Sequence, residues 1–156
     1  MTTTVPQPIT GTVHPFPAMR PGFRLAPASV GRNGWLQIVG VPCPVYCTED
    51  HLGEPVGNVE DVAHRGEQSE LTIESFAFAP IPHQLYAYLA ADPAAADERL
   101  RSTHVVIDNA DASESALLTP EMAETVADNA VKFAAQLRTL ARTARLHNQH
   151  AAAVTV

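Results

Sequence analysis

Short runs in which apolar and polar residues alternate predict the strands of this chain. The runs cover residues 35–39, 71–79, 83–89 and 103–108. Alternation with a period of two is typical of strands with one buried face. Prolines interrupt the chain between the second and third runs, so we expect those two to form a hairpin. The alanine-rich segment 90–101 is expected to make a turn or two of helix.

A long helix is predicted over residues 119–146. Thr119 is suited to the N-cap, and Pro120 and Glu121 suit the first helical turn. The helix carries one apolar stripe over residues 122–144, with a spacing close to the heptad period. Its members are Met122, Val126, Ala130, Phe133, Leu137, Leu140 and Ala144. Such a stripe must be buried, and we expect it to lie across the sheet, with a homodimer seam as the alternative.

These elements indicate an α+β fold: a small, largely antiparallel sheet of three or four strands, one long C-terminal helix and a Cys/His loop resembling a zinc knuckle. Residues 1–33 contain six of the 13 prolines without apolar periodicity and are predicted to be a flexible leader. The folded domain is expected over residues 34–148, with the Cys/His module at 41–68 and a flexible C-terminus at 149–156.

The charge distribution argues against nucleic acid as a partner. The 156 residues carry a net charge of −7, whereas phosphate binding requires a concentrated basic surface. Residues 43–75 alone contain eight acids and one base, so this acidic segment would favour a basic protein. The basic end of the helix leaves a transcription-associated factor as a further alternative. Without a signal peptide or a membrane-spanning apolar run, we expect a cytoplasmic protein.

The two cysteines begin the most informative motif. Cys43, Cys47, His51 and His64 form the pattern C-x3-C-x3-H-x12-H. Two thiolates and two imidazoles make a complete tetrahedral ligand set for Zn²⁺. Cys47 and His51 are four residues apart, so a helical turn would place them on one face. We therefore predict a zinc site at these four residues, with Asp50 and Asp61 as candidate acceptors that orient the histidines.

Other interpretations of the motif stay open. The cysteines can be reduced and structural, or joined in a disulfide, which a short loop and a reducing compartment disfavour. A thiol enzyme would pair Cys47 with His51 or His64. A metalloenzyme would need a water in place of one ligand, with Glu49 or Asp50 as the base.

The sequence also resembles an uncharacterised family of small actinobacterial proteins classed as a domain of unknown function. The resemblance lies in Cys43-Pro44-Val45-Tyr46-Cys47 with His51, in His64-Arg65-Gly66, and in Leu118-Thr119-Pro120-Glu121 before the closing helix. It covers residues from about 41 to 145. Tyr46 stands where that family more often has Trp. The resemblance implies that Cys47, Asp50, His51 and His64 act together, but it brings no assigned activity.

The function predicted from these observations is that of a non-enzymatic binding or regulatory protein with a structural zinc site. It would engage another protein through the acidic segment or the C-terminal helix. The complete ligand set, without a visible nucleophile or oxyanion loop, favours this over the metal- or thiol-dependent enzyme.

Overall fold

The computed structural model describes residues 19–32, 35–74, 83–109 and 115–154. Within these residues the chain forms seven strands, a short 3-10 helix and two α-helices. The strands are β1 (Phe23–Arg32), β2 (Trp35–Pro44), β3 (His64–Arg65), β4 (Ser69–Ile73), β5 (His83–Ala91), β6 (His104–Asn109) and β7 (Ala116–Leu118). The helices are the 3-10 turn Val59–Asp61, α1 (Glu98–Arg101) and α2 (Pro120–Val154).

The first two strands form a long antiparallel hairpin that runs from Phe23 opposite Pro44 to Arg32 opposite Trp35. Near its tip Gly31 has a φ of +152°, and a β-carbon there would run into the Trp35 carbonyl oxygen. Only glycine fits this position. The other edge of β1 holds the loop that follows β2, because Ser29 and Gly31 exchange backbone hydrogen bonds with Val56.

A five-stranded antiparallel sheet is the second of the two sheets in the described chain. β5 pairs with β6 on one side and with both β3 and β4 on the other, and β6 pairs with β7. The predicted hairpin is confirmed, because β4 runs antiparallel to β5 from Ser69 opposite Ala87 to Ile73 opposite His83. Residues 75–79 of the longer predicted run lie outside the described residues.

The core is small and is centred on the Cys/His module. Its buried members are Ala26, Ala28, Val41, Cys43, Cys47 and Val62. Cys43 is fully buried, and the surrounding side chains are mostly alanine and valine. This core therefore buries little apolar area for the length of chain that it has to hold.

The fold class predicted from the sequence is confirmed, with two differences in its elements. The sheet has five described strands where three or four were expected. Residues 23–32 form β1, so the prediction of a leader without structure over 1–33 is wrong for this part. Ala26 and Ala28 are small residues, so their alternation gives only a weak hydrophobic signal in the sequence. Pro27 is tolerated in the β1–β2 hairpin because no neighbouring strand requires a backbone N–H from it. Residues 1–18 lie outside the described residues.

The long helix is confirmed but does not lie across the sheet. It begins at Pro120, as predicted, and extends to Val154, through most of the expected flexible C-terminus. Its sheet contacts are concentrated on β6 and β7. Between residues 124 and 149 every side chain except Ala134 is exposed. The expectation that the sheet buries the apolar stripe is therefore wrong.

Candidate metal centre

Four different parts of the fold supply the Cys/His cluster. Cys43 lies near the end of β2, and Cys47 closes the tight turn that follows, where its N–H donates to the Pro44 carbonyl at 3.0 Å. His51 lies on the loop held by β1, and His64 begins β3. The four predicted ligands are therefore brought together from a hairpin, a turn, a loop and the edge of a sheet.

The donor atoms of these residues all lie within 4.8 Å of one another. His51 Nε2 is 3.6 Å from both Cys43 Sγ and Cys47 Sγ. One ring nitrogen has a single in-plane lone pair or proton, so it cannot hydrogen-bond well to two sulfurs at once. In a tetrahedral zinc site, Zn–S and Zn–N bond lengths place sulfur and nitrogen ligands about 3.6 Å apart. The observed spacing fits a shared metal.

The second histidine supplies an independent indication. His64 is buried, and its Nδ1 has no hydrogen-bond partner among the described residues. A buried polar atom without a partner is costly in a folded protein. The His64 ring meets the His51 ring edge-on, with centroids 5.3 Å apart. An ion at the centre of the cluster would satisfy the unpartnered nitrogen.

Burial favours the uncharged forms of the Cys43 thiol and the His64 imidazole. Burial, and then the neighbouring Cys47, raise the pKa of the Cys43 thiol, while Arg24 acts in the opposite direction. Burial, and then the nearby His51, lower the pKa of His64, with a smaller opposing effect from the Pro42 backbone. A neutral imidazole is ready to bind a metal, whereas the thiols must lose protons when they bind one.

His51 is positioned by the strand that sequence reasoning missed. The Ser29 N–H donates to the His51 carbonyl at 2.8 Å, and Ser29 Oγ donates to the Leu52 carbonyl at 3.0 Å. Arg24, also on β1, donates to the Cys47 carbonyl at 3.0 Å. The one available signal was the alternation of small apolar residues at positions 26, 28 and 30.

Cys47 and His64 are tied to each other through the backbone of β3. Cys47 forms an antiparallel bridge with Gly66, and the Thr48 N–H donates to the Arg65 carbonyl at 2.9 Å. Gly66 makes room for this approach, because a β-carbon there would lie 3.3 Å from the Tyr46 ring and the ring would have to shift slightly. Tyr46 packs beside the core, as expected of an aromatic residue between the cysteines.

The two predicted orienting carboxylates bind elsewhere. Asp50 accepts a hydrogen bond from the Leu52 N–H at 3.1 Å and so shapes the turn after the cluster. Asp61 accepts from the backbone and side chain of Asn58, at 2.8 and 3.1 Å, and caps the 3-10 turn. Both carboxylates thus stabilise the loop through its turns.

The fold and the cluster define a small α+β domain with a Cys2His2 site that is suited to a metal ion. The family model of a domain of unknown function, DUF6907, matches residues 25–146. The chain belongs to this family, and the match begins inside β1, ahead of the start expected from the sequence.

No curated protein and no solved structure matches the chain. Among the helices of the described residues, none has both the length and the apolar character needed to cross a membrane.

Proposed function

We propose that this protein is a non-enzymatic binding domain whose hairpin and loop are held together by one structural Zn²⁺. Cys43, Cys47, His51 and His64 would be its ligands, and C-x3-C-x3-H-x12-H would be the metal-binding motif. The observation that carries the proposal is the convergence of the four donor atoms within 4.8 Å. Four protein ligands make a closed site, which is typical of structural zinc.

The place of the cluster in the fold supports a structural role. Cys43 and Cys47 are themselves members of the small core, which lacks large aliphatic side chains. An ion bound there would link β2, the loop after it and the edge of the five-stranded sheet. Structural zinc stabilises such small domains directly, because the unfolded chain offers no preformed site.

Metal content tests this proposal. We expect the purified protein to contain one zinc per chain by inductively coupled plasma mass spectrometry, and Cys47→Ser to lose it. His104→Gln is the matched control, since His104 is also buried but lies on β6 outside the cluster. Metal-free wild-type protein that binds no added zinc and melts at the same temperature with or without chelator would refute the proposal.

The acidic segment offers the surface for a partner. A cleft of about 420 Å³ lies beside His51 and is lined by acidic side chains of the loop. Those acids are Glu49, Asp50, Glu54 and Asp61. Their charge favours a basic protein segment as the occupant. Binding of a lysine-rich peptide should weaken in Glu54→Gln and with added salt, but not in Glu98→Gln, whose carboxylate is on α1.

The same cleft is the observation that favours the alternative, a metal-dependent enzyme. It brings Glu49 and Asp50 to the accessible side of His51, where a carboxylate base would serve a metal-bound water. X-ray absorption separates the two functions. Two sulfur and two nitrogen ligands support the structural site, whereas an oxygen ligand in place of one residue would support the enzyme.

A further inference from the structure

The apolar stripe of α2 has no cover within the described chain. Exposed fractions along it run from 39% at Val126 to 65% at Leu140, with Phe133 at 63%. Apolar side chains repeated along the 23 residues from Met122 to Ala144 form a surface about 34 Å long. Exposed apolar surfaces of this size mark interaction sites.

From Val126 to Ala144 the stripe fits the two core positions of a heptad repeat, which Ala123 and His147 extend at either end, while Met122 lies beside the repeat. One position is filled mostly by alanine: Ala123, Ala130, Leu137 and Ala144. The other is filled mostly by larger residues: Val126, Phe133, Leu140 and His147. A strict repeat of seven favours a left-handed pair of helices packed along this seam. Alanines at 127, 134 and 141 flank the seam and allow the two backbones to approach closely.

We propose that α2 pairs with α2 of a second copy of this chain in antiparallel orientation, with Phe133 packed against Leu137 at the centre. In that register Ala130 faces Leu140, and Ala144 faces Val126. Each layer then combines a small side chain with a larger one, except at the centre, where two large residues meet across the two-fold axis. Such alternation fills a helix interface without voids.

Charge selects the antiparallel orientation. The first half of α2 carries Glu121, Glu124 and Asp128, and the second half carries Lys132, Arg138, Arg142 and Arg145. Glu121, Asp128 and Arg142 share the outer heptad position of Ala135 and face away from the seam, so the charges that flank it are Glu124, Arg138 and Arg145. An antiparallel pair places Glu124 of each helix along these arginines of the other, and it also opposes the two helix dipoles. A parallel pair would align like charges along its whole length.

Individual charges favour the same register. With Phe133 opposite Leu137, Glu124 lies level with Arg145 of the second copy. Both occupy the flank of the seam that carries the alanines, so their long side chains can meet across it. A shift by one heptad in one direction moves Glu124 beyond the basic residues and places Ala144 against Phe133. The opposite shift sets Glu124 beside Arg138 but leaves Ala144 and His147 of each copy past the start of the other helix, so the seam is shorter. The second copy is therefore the occupant whose shape and charge the helix itself specifies, and this proposal does not depend on zinc.

Sedimentation equilibrium tests the association. We expect the zinc-loaded wild-type protein to be a dimer at tens of micromolar, and Leu137→Glu to weaken dimerisation about 100-fold or more, because two buried leucines are lost. Ala135→Glu is the control, since it adds the same charge on the opposite face of the helix and should leave the dimer intact. Unchanged circular dichroism would show that both variants fold. A wild-type monomer at 100 µM would overturn the proposal.

Disulfide trapping tests the orientation. In the proposed register, residue 129 of one copy lies beside residue 143 of the other. Asn129→Cys mixed with Thr143→Cys should therefore give a cross-linked dimer under mild oxidation, whereas either variant alone should stay uncrosslinked. Wild-type protein controls for Cys43 and Cys47, which are buried. Efficient cross-linking of Asn129→Cys with itself would indicate parallel helices and refute the pairing proposed here.

Discussion

Removal of zinc is expected to unfold the loop between the cysteines and β3 while β5 and β6 stay paired. Val62, at 5% exposure, is the single buried side chain between positions 48 and 63. Burying one valine contributes about 1.5–3 kcal/mol, whereas fixing the backbone of each residue costs about 1–2 kcal/mol. Apolar burial alone therefore cannot hold this loop. Structural zinc sites contribute on the order of 10 kcal/mol, which is enough to do so.

Hydrogen exchange of individual amides measures this effect. The Ser29 and Thr48 amides donate to the His51 and Arg65 carbonyls, so they should be protected in the zinc-bound protein. After chelation we expect their exchange to accelerate by about 100-fold or more, since local opening then costs little. The Tyr88 amide, inside the β5–β6 ladder, should change by less than about tenfold.

Two results would contradict this reasoning. If chelation removes zinc completely and the Ser29 and Thr48 amides keep their protection, apolar packing alone holds the loop. If the ladder around Tyr88 exchanges as fast as the loop, the zinc site and the five-stranded sheet unfold as one unit. The His104→Gln variant should behave as wild type in both states, since its side chain lies outside the cluster.

Three further predictions follow from single residues. Ser29→Ala should weaken zinc binding by about tenfold in a chelator competition, because it removes the hydroxyl that positions the ligand loop; unchanged affinity would contradict this. Gly31→Ala should cost at least about 1–3 kcal/mol in urea unfolding, and clearly more than Gly22→Ala, where φ is +82° and a β-carbon meets no atom within 4 Å. The side chain and N–H of Arg99 lower the pKa of Asp97 from 3.8 to about 2. The stabilising effect of the ionised Asp97 carboxylate should be complete above pH 4 and be lost as the pH falls toward 2. An NMR titration that gives Asp97 a pKa near 3.8 would refute this prediction.

The four residues of the cluster could be found from the sequence because metal chemistry restricts candidate ligands to few residue types. Cys43 and Cys47 are the only cysteines in the chain, and the nearest following histidines complete a tetrahedral set. The spacing of these four residues also predicted that the loop between Cys47 and His64 folds back toward β2. The expectation that a helical turn places Cys47 and His51 on one face is wrong, because residues 48–50 have no regular structure and a turn and a loop bring the two side chains together.

The missed parts of the fold depend on contacts between residues distant in sequence. β1 buries alanines, and its one proline, Pro27, continues the proline-rich pattern of the preceding residues. Its strand character therefore arises from pairing with β2. The periodicity of α2 also could not predict that its apolar face would be exposed. A heptad stripe predicts that an apolar surface becomes buried. Which part of the protein or which partner buries it depends on the direction in which the helix leaves the sheet.

The position of β1 changes how the candidate site is understood. The motif alone describes a local loop, in which two cysteines and a nearby histidine would bind zinc with one later ligand. In the structure, Ser29 and Arg24 reach that loop from a strand that precedes the motif by about twenty residues. The proposed metal binding would therefore be coupled to hairpin formation, because each fixes the backbone on which the other depends. This coupling predicts that a loss of β1 pairing lowers zinc affinity even when all four ligands are present.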